Sequence, residues 1–393
     1  MLYLDHAATT AVHTEVQREM QPYFSQYYGN PSGIYEFAED AREMLQRTRR
    51  KIAQSLHAVP EEIYFTSGGT EADNWALKGV AESLQNKGKH IITSQIEHHA
   101  VLRSCEYLER RGFEITYLSV DENGMISLEE LMQSIRPDTI LISIMFANNE
   151  IGTLQPIAEI GSIARKHHIL FHTDAVQAYL HEKIDVENLQ IDLLSASAHK
   201  FQGPKGVGFL YVRSGCPIEA LLHGGSQEAG MRAGTENVPG IIGMGKAVSL
   251  QMDRIEENRQ YVKKLRNYVV DRIQKEIPYV TFHGSMKKRL AGNINMHFSY
   301  IEGESLIILL DMEGICVSAG SACASREGVS HVLKAIHIPD NLARGTIRVT
   351  IGEENTMEEM DFFVDRLKVC VSNLREFSDE YAQKRLENSK RRV

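Results

Sequence analysis

Apolar positions recur with two different periods along the chain. Between residues 36 and 57, Phe37, Ala41, Met44, Leu45, Ile52 and Leu56 fall at helical spacing, which predicts a one-faced amphipathic helix. Beyond it, short apolar runs alternate with helical stretches. Strands are predicted at Ile63–Thr66, His90–Ser94, Phe113–Val120, Thr139–Ala147, Ile169–Thr173, Leu193–Ser197 and Val207–Val212. Helices are predicted at Glu71–Gln85, Val101–Arg111, Leu128–Ile135 and Ile157–His168. Near-continuous apolar strands separated by helices predict an α/β fold, its mostly parallel sheet covered on both faces.

The texture changes after Gly240. One long, charge-rich helix is predicted over Ile241–Ile277, followed by shorter strands at Ile294–Phe298, Cys316–Val317 and Thr346–Ile351, with helices at Ser305–Met312 and Val329–Ile336. Thr356 and Glu359 form a capping box, and Met360, Phe363, Leu367 and Cys370 share one face of the helix it starts. Lys384–Val393 is polar and basic and reads as a frayed, solvated end. The division expected is a large domain over 15–250 and a smaller α+β domain made of 1–14 and 251–393.

Composition narrows the function. With 393 residues the chain can bury most of its unfolded surface without a disulfide or metal staple. Lys and Arg number 43 against 52 Asp and Glu, a net charge of −9, so nothing drives it generally toward nucleic acid or anionic lipid. The five cysteines, at 105, 216, 316, 323 and 370, are odd in number, widely spaced and never in a CxxC pair. That argues against a disulfide framework and against a zinc ribbon, and no metal is expected. The start, Met1 to His6, shows no signal peptide, and the most apolar run, Ile140 to Ala147, is too short to span a bilayer. The expectation is a cytoplasmic protein with free thiols.

Several segments carry residues suited to chemistry. Ser67-Gly68-Gly69-Thr70-Glu71-Ala72 lies between a strand and a helix, where small residues and a helix N-terminus can cradle a phosphate. A tight turn with a Ser or Thr cap would read the same way. Lys200 lies in Ser195–Gly206 at a strand end among small residues, where an amine kept partly neutral can form a Schiff base. An exposed loop lysine is the alternative, and Lys205 stands nearby. Asp174 ends an apolar strand, where open α/β sheets place ligands, and suits a pyridinium nitrogen unless it only caps a helix. A phosphate cup, a carboxylate and an amine are together what pyridoxal phosphate requires. His98, in Gln95–Ala100, could stack on a cofactor ring and exchange protons, and Asn149, in Ala147–Gly152, could donate to a phenolic oxygen or simply form a turn. Cys323 is flanked by small residues over Ser318–Ser325, a setting for an accessible thiolate; the other four cysteines sit in or beside apolar patterns. Arg348 alternates with apolar residues on a strand and, on a buried face, needs an anion such as a substrate carboxylate.

Leu4-Asp5-His6-Ala7-Ala8-Thr9-Thr10, Gly29-Asn30-Pro31-Ser32, Thr66–Glu71, Ala147–Gly152, Ser197-Ala198-His199-Lys200 and Gly320-Ser321-Ala322-Cys323 together resemble the cysteine desulfurases, fold-type I enzymes of the class-V aminotransferase type. The matches keep the family's order from about residue 4 to 352. The resemblance implies pyridoxal 5'-phosphate held covalently by Lys200, with Asp174 on the pyridine nitrogen and Gln177 and Asn149 on the phenolic oxygen side. It implies His98 stacked on the ring as acid–base, and Gly69, Thr70, Ser197 and His199 around the phosphate. Arg348 and Asn149 would orient the substrate carboxylate. Thr235 would reach the partner subunit's phosphate in a homodimer. Cys323 would attack the sulfur of L-cysteine, leaving L-alanine and a persulfide for a protein acceptor. The Gly-Ser-Ala-Cys signature resembles the subgroup serving iron–sulfur assembly and thiolation. Departures are Ala198 where Gly is common, Ala319 where Ser is common, and a short stretch from Cys323 to Val329. The rivals are a selenocysteine lyase, another class-V pyridoxal transaminase, and a non-enzymatic scaffold, against which the joint presence of Lys200, Asp174, His98 and Cys323 speaks.

Overall fold

The computed structural model describes residues 1–319 and 329–390. The chain opens with a short strand, β1 (Leu2–Tyr3). Seven strands then build the central sheet: β2 (Ile63–Thr66), β3 (His90–Ser94), β4 (Glu114–Leu118), β5 (Thr139–Ser143), β6 (Leu170–Asp174), β7 (Leu193–Ser197) and β8 (Gly208–Val212). Their order is β2-β8-β7-β6-β5-β3-β4. β8 runs antiparallel to both of its neighbours, and the other pairs are parallel.

The period of two explains why the sheet is covered on both sides. Neighbouring residues on one strand point to opposite faces. Ile92, Ile142, Leu194 and Phe209 enter one core, while Ile91, Leu141, Leu193 and Leu210 enter another across the sheet. β3, β5, β7 and β8 are buried along their full length, as the mostly parallel, two-sided reading requires. The helix Gly69–Leu84 supplies Trp75, Ala76 and Val80 to the second of these cores. The helices Glu39–Leu56, Ile157–Lys166 and Val238–Gln251 supply the first.

A third core is separate. It is built by β9 (Val280–Phe282), β10 (Asn293–Phe298), β11 (Ile315–Cys316) and β12 (Thr346–Thr350) with the helices Ile255–Glu276, Gly303–Met312 and Met357–Glu376. β12, β10 and β9 form an antiparallel sheet, and β11 pairs in parallel with β1. Leu2 and Leu4, at the start of the chain, are buried in this core. The Thr356–Glu359 capping box forms as its spacing predicts.

Two sequence expectations are corrected. The long helix over 241–277 is two helices, Val238–Gln251 and Ile255–Glu276. The first buries Ile241, Ile242, Met244, Ala247 and Val248 in the large core, and the second buries Leu265, Val269 and Ile273 in the third. The chain turns between them at Met252 to Arg254 to serve both. The end expected to fray from Lys384 instead continues a helix, Asp379–Lys390. Tyr381 anchors its start, its ring 5.7 Å from that of Tyr300 with the Arg375 guanidinium 5.5 Å away.

The first thirteen residues link the cores. Leu4 donates its N–H to Cys316 O at 2.9 Å and accepts from Thr350 N at 2.8 Å. Thr10 and His13 then donate theirs to His199 O and Gln202 O at 2.9 and 3.0 Å. Leu4 is fully buried, so Leu4→Ala is expected to cost about 3 kcal/mol from lost transfer energy and cavity formation. Urea unfolding should show this, and a loss below about 0.5 kcal/mol would mean that this segment does not anchor in the third core.

Candidate active site

The carboxyl ends of the parallel strands converge on one edge of the sheet, the place where such folds bind ligands. β6 ends in Asp174 and β7 in Ser197, and the turn after β7 carries His199 and Lys200. β3 runs on to His98, β5 to Asn149, and β2 to Gly68 and Gly69. Arg348 reaches the same edge from β12.

Lys200 is held by the N-terminal segment. Its Nζ donates to the carbonyls of Ala7 and Ala8, the latter at 2.8 Å. Burial pushes its pKa down to about 8, and the charge of Arg348 pushes the same way, while Asp174 and Asp5 oppose them. A substantial fraction of this amine is therefore neutral near physiological pH, the condition for nucleophilic attack on an aldehyde. Gln177 donates to the same Ala7 carbonyl at 2.9 Å.

Asp174 is buried and accepts from Val176 N at 2.9 Å. Beside it lies a second buried acid, Asp73, to which the sequence reading assigned no role. Asp73, His98 and Asp174 each bring one oxygen or nitrogen within 4.8 Å of the others. Two buried carboxyls this close do not both ionise. Burial and the charge of Asp174 push Asp73 well up. Burial also raises Asp174, but His98, the Val176 N–H and Lys200 oppose it. Asp73 is thus the neutral acid and Asp174 the anion. An anionic carboxyl at this strand end could pair with a protonated ring nitrogen. Behind Asp73, Ser195 Oγ lies 3.0 Å from His172 Nε2, and Ser143 Oγ lies 2.8 Å from His172 Nδ1. Burial lowers His172 to about 3, so this relay is neutral.

His98 caps the helix His99–Glu109, its Nδ1 accepting from Ala100 N at 3.2 Å. That bond fixes the ring; the residue is exposed at the site edge. Crowding by protein atoms still lowers its pKa, with Asp174 opposing. Arg348 is 3% exposed, with Nη2 donating to Asp5 Oδ1 at 2.7 Å and Nη1 to Asn149 O at 3.0 Å. The anion that its buried position calls for is therefore Asp5.

The opposite side fits a phosphate. Gly68 precedes the helix Gly69–Leu84 at φ 151°, and no side chain caps that end. A Cβ on Gly69 would come within 2.5 Å of Val176 Cγ2, so the helix start sits against the strand end only as glycine. Thr70 is exposed beside it and Ser197 is buried against Gly68. Glu71 in the first turn is held by Arg232 at 2.8 and 3.0 Å. His199 Nδ1 meets Thr9 Oγ1 at 3.1 Å, and burial lowers the imidazole to about 4. Free N–H groups at a helix start, hydroxyls and a neutral imidazole suit the phosphate of pyridoxal phosphate, opposite an anionic Asp174 and a part-neutral amine. Thr235 lies apart, on an exposed loop before the helix Val238–Gln251. Cys323 lies outside the described residues. Burial raises the thiols of Cys105, Cys370 and Cys216, the last to about 12, which leaves them protonated.

The Aminotransferase class-V family model matches residues 2–363. The chain is 53% identical over 378 residues to a protein of Methanosarcina thermophila named cysteine desulfurase IscS, covering 96% of this chain and 93% of that one. It is 48% identical to a protein of the same name from Clostridium botulinum (strain Hall), covering 96% of each. Among solved structures it is similar to a NifS-like protein, with a TM-score of 0.89, 39% identity, and 94% and 99% of the two chains covered. It is also similar to a structure described as SspA in complex with cysteine, with a TM-score of 0.81, 38% identity, and 91% and 100% covered.

The neutral fraction of an amine titrating near 8 grows about tenfold per pH unit below that point. In cofactor-free protein, attack of Lys200 on added pyridoxal phosphate, followed by visible absorbance, should therefore accelerate up to about pH 8 and then level off. A rate still climbing at about pH 10 would show an ordinary, solvated lysine.

Proposed function

We propose the following division of labour on the premise that this chain belongs to the class-V aminotransferase family and, within it, is a pyridoxal-phosphate-dependent cysteine desulfurase. The net reaction moves the sulfur of L-cysteine to an enzyme thiol and releases L-alanine. Bound pyridoxal phosphate supplies an electron sink that makes the Cα proton of an attached amino acid labile. Lys200 would hold the cofactor covalently, and its freed amine would take and return the proton at the substrate Cα. Asp174 would accept from a pyridine nitrogen, and Gln177 and Asn149 would serve the phenolic oxygen. His98 would lie against the ring and exchange protons. Gly69, Thr70, Ser197 and His199 hold the phosphate, joined by Thr235 from a second subunit. Arg348 and Asn149 orient the substrate carboxylate.

The thiolate of Cys323 attacks the substrate sulfur. An S–S bond forms, the Cβ–S bond breaks, and its electron pair stays on carbon until a proton is delivered to give alanine. The persulfide sulfur then passes to a protein acceptor for iron–sulfur assembly or thiolation. The observation that carries this reading is the geometry around Lys200: a desolvated amine between two carbonyls, with an anionic carboxyl and an open helix start at the same sheet edge.

Phe24, Tyr28, Ile34, Tyr35 and Phe37 are exposed within one short stretch, an apolar surface suited to a second copy of this chain. Among the described residues no helix is long and apolar enough to cross a membrane, which accords with cytoplasmic residence. The two domains proposed are 15–250 and 1–14 with 251–393; Leu265, Val269 and Phe363 of the second pack in the third core, while its Val332, Leu333 and Ile336 pack in the large sheet core.

The purified protein should be yellow and should release alanine and sulfide from L-cysteine with a reductant. Cys323→Ser should keep the colour and lose sulfide release by at least about a hundredfold, as removal of a covalent nucleophile does. Lys200→Ala should lose the bound chromophore. Wild-type sulfide release by the Ser variant would sink the thiol assignment, and a colourless wild type would sink the cofactor assignment.

A further inference from the structure

Arg348 is the cation assigned above to the substrate carboxylate, yet an acid of the same chain already sits on it. Asp5 Oδ1 accepts from Nη2 at 2.7 Å, Nη1 is spent on the Asn149 carbonyl at 3.0 Å, and Nε finds no partner among the described residues. Asp5 is firmly placed. Its carbonyl accepts from Tyr3 Oη at 3.0 Å and from Ala8 N at 2.9 Å, and its backbone bridges to Thr350. Arg348 is equally fixed, paired with Asn295 along β10 and bonded through its backbone to Ser318. Neither partner needs to move for the pair to form.

An incoming α-carboxylate must therefore engage a guanidinium whose charge is already matched and whose two terminal nitrogens each already donate a hydrogen bond. Its attraction to Arg348 is reduced by its repulsion from Asp5. The side chain of Asp5 is 19% exposed and that of Arg348 only 3%, so the pair sits where screening by solvent is weak. An opposite charge at contact distance in such a setting changes the affinity for the competing charge by about tenfold or more.

We infer that Asp5 is a specificity-determining residue of the site, an internal carboxylate that competes with the substrate's own for Arg348 and so sets how tightly the enzyme holds amino acids as against amines. This rests on the assignment of Arg348 as the carboxylate site and adds to it. Asp5 keeps Arg348 neutralised when no substrate is bound, and it lowers the grip on every α-carboxylate, that of the product alanine included. A site without it would bind product more tightly and release it more slowly.

The test uses the pyridoxal-phosphate-loaded enzyme and two probes that react with it but carry no sulfur. L-Alanine has the α-carboxylate, and ethylamine has the same carbon chain length at the amine without it. Each is titrated by the change it causes in the visible spectrum. Asp5→Asn keeps an oxygen acceptor for Nη2 and removes only the charge. It should tighten L-alanine binding by about tenfold and leave ethylamine within about twofold of wild type. Unchanged or weaker L-alanine binding in Asp5→Asn would overturn the proposal, because Asp5 would then be inert or would merely hold Arg348 in place. Arg348→Gln separates the two layers of the argument. If it weakens L-alanine and spares ethylamine while Asp5→Asn changes nothing, the carboxylate assignment stands and the competition fails. If it affects the two probes equally, the carboxylate assignment itself falls. Ethylamine binding reports an intact site in each variant, and Asp5→Ser poses the same question should the Asn variant not fold.

Discussion

Lys200 has to satisfy two demands that conflict. Its amine must be dry enough to shed a proton near neutral pH, and it must still be held at one point in space by hydrogen bonds. A carboxylate would hold it but would also stabilise the charged form. The structure uses backbone carbonyls instead, those of Ala7 and Ala8, which fix the nitrogen with dipoles and leave burial to lower its pKa. Everything that places those carbonyls then becomes part of the active site: Leu2 and Leu4 in the third core, Tyr3 Oη on the carbonyls of Asp5 and Thr9, Ala7 N on Thr350 Oγ1, and Thr10 on His199. A segment without helix or long strand is thus fixed at both ends by the two bodies between which the site lies.

The same economy governs the carboxyls. Asp174 and Asp73 are close enough that one proton has to be retained between them, and the neighbours decide where it stays. His98, the Val176 N–H and Lys200 surround Asp174, whereas Asp73 faces Ser195 and a neutral His172. The anion is therefore kept at the end of β6, on the ligand edge of the sheet, and the neutral acid is kept behind it. Moving the charge by one carboxyl would leave a ring nitrogen placed as proposed without its counter-charge. Asp73, 1% exposed, lies 3.7 Å from His172 Nε2 and so joins this arrangement from the helix Gly69–Leu84.

Much of this was legible in the sequence, for reasons that can be stated. β3, β5 and β7 are short, fully buried runs bounded by polar strand ends, and residues at such ends face ligands whatever the rest of the chain does. Asp174, Ser197, His199, Lys200, His98 and Asn149 were therefore readable locally. The break at Met252 to Arg254 was not, because both halves share the helical period and only the existence of two cores bends the chain there. The helix Asp379–Lys390 was missed because its anchors, Tyr279 and Tyr300, come from a hundred or so residues earlier. The partner of Arg348 was invisible for the same reason. Alternation told of a buried arginine in want of an anion, but nothing in one dimension places Asp5 beside a residue 343 positions away.

That distant pairing changes how substrate selection is to be understood. Among the described residues the two cations named at the site each have an anion of their own chain: Arg348 has Asp5 and Lys200 lies within the field of Asp174. A zwitterion entering such a site meets no large net field, so affinity depends on where its charges fall rather than on their sum. Its carboxylate meets a guanidinium already engaged by Asp5 and the Asn149 carbonyl, and on the proposed function its amine would have to arrive unprotonated to displace Lys200. Simple anions and simple amines each satisfy one half of this arrangement and are poorly held. An amino acid satisfies both, and the matched internal charges that weaken its binding are also what allow its product, which differs only by the missing sulfur, to leave.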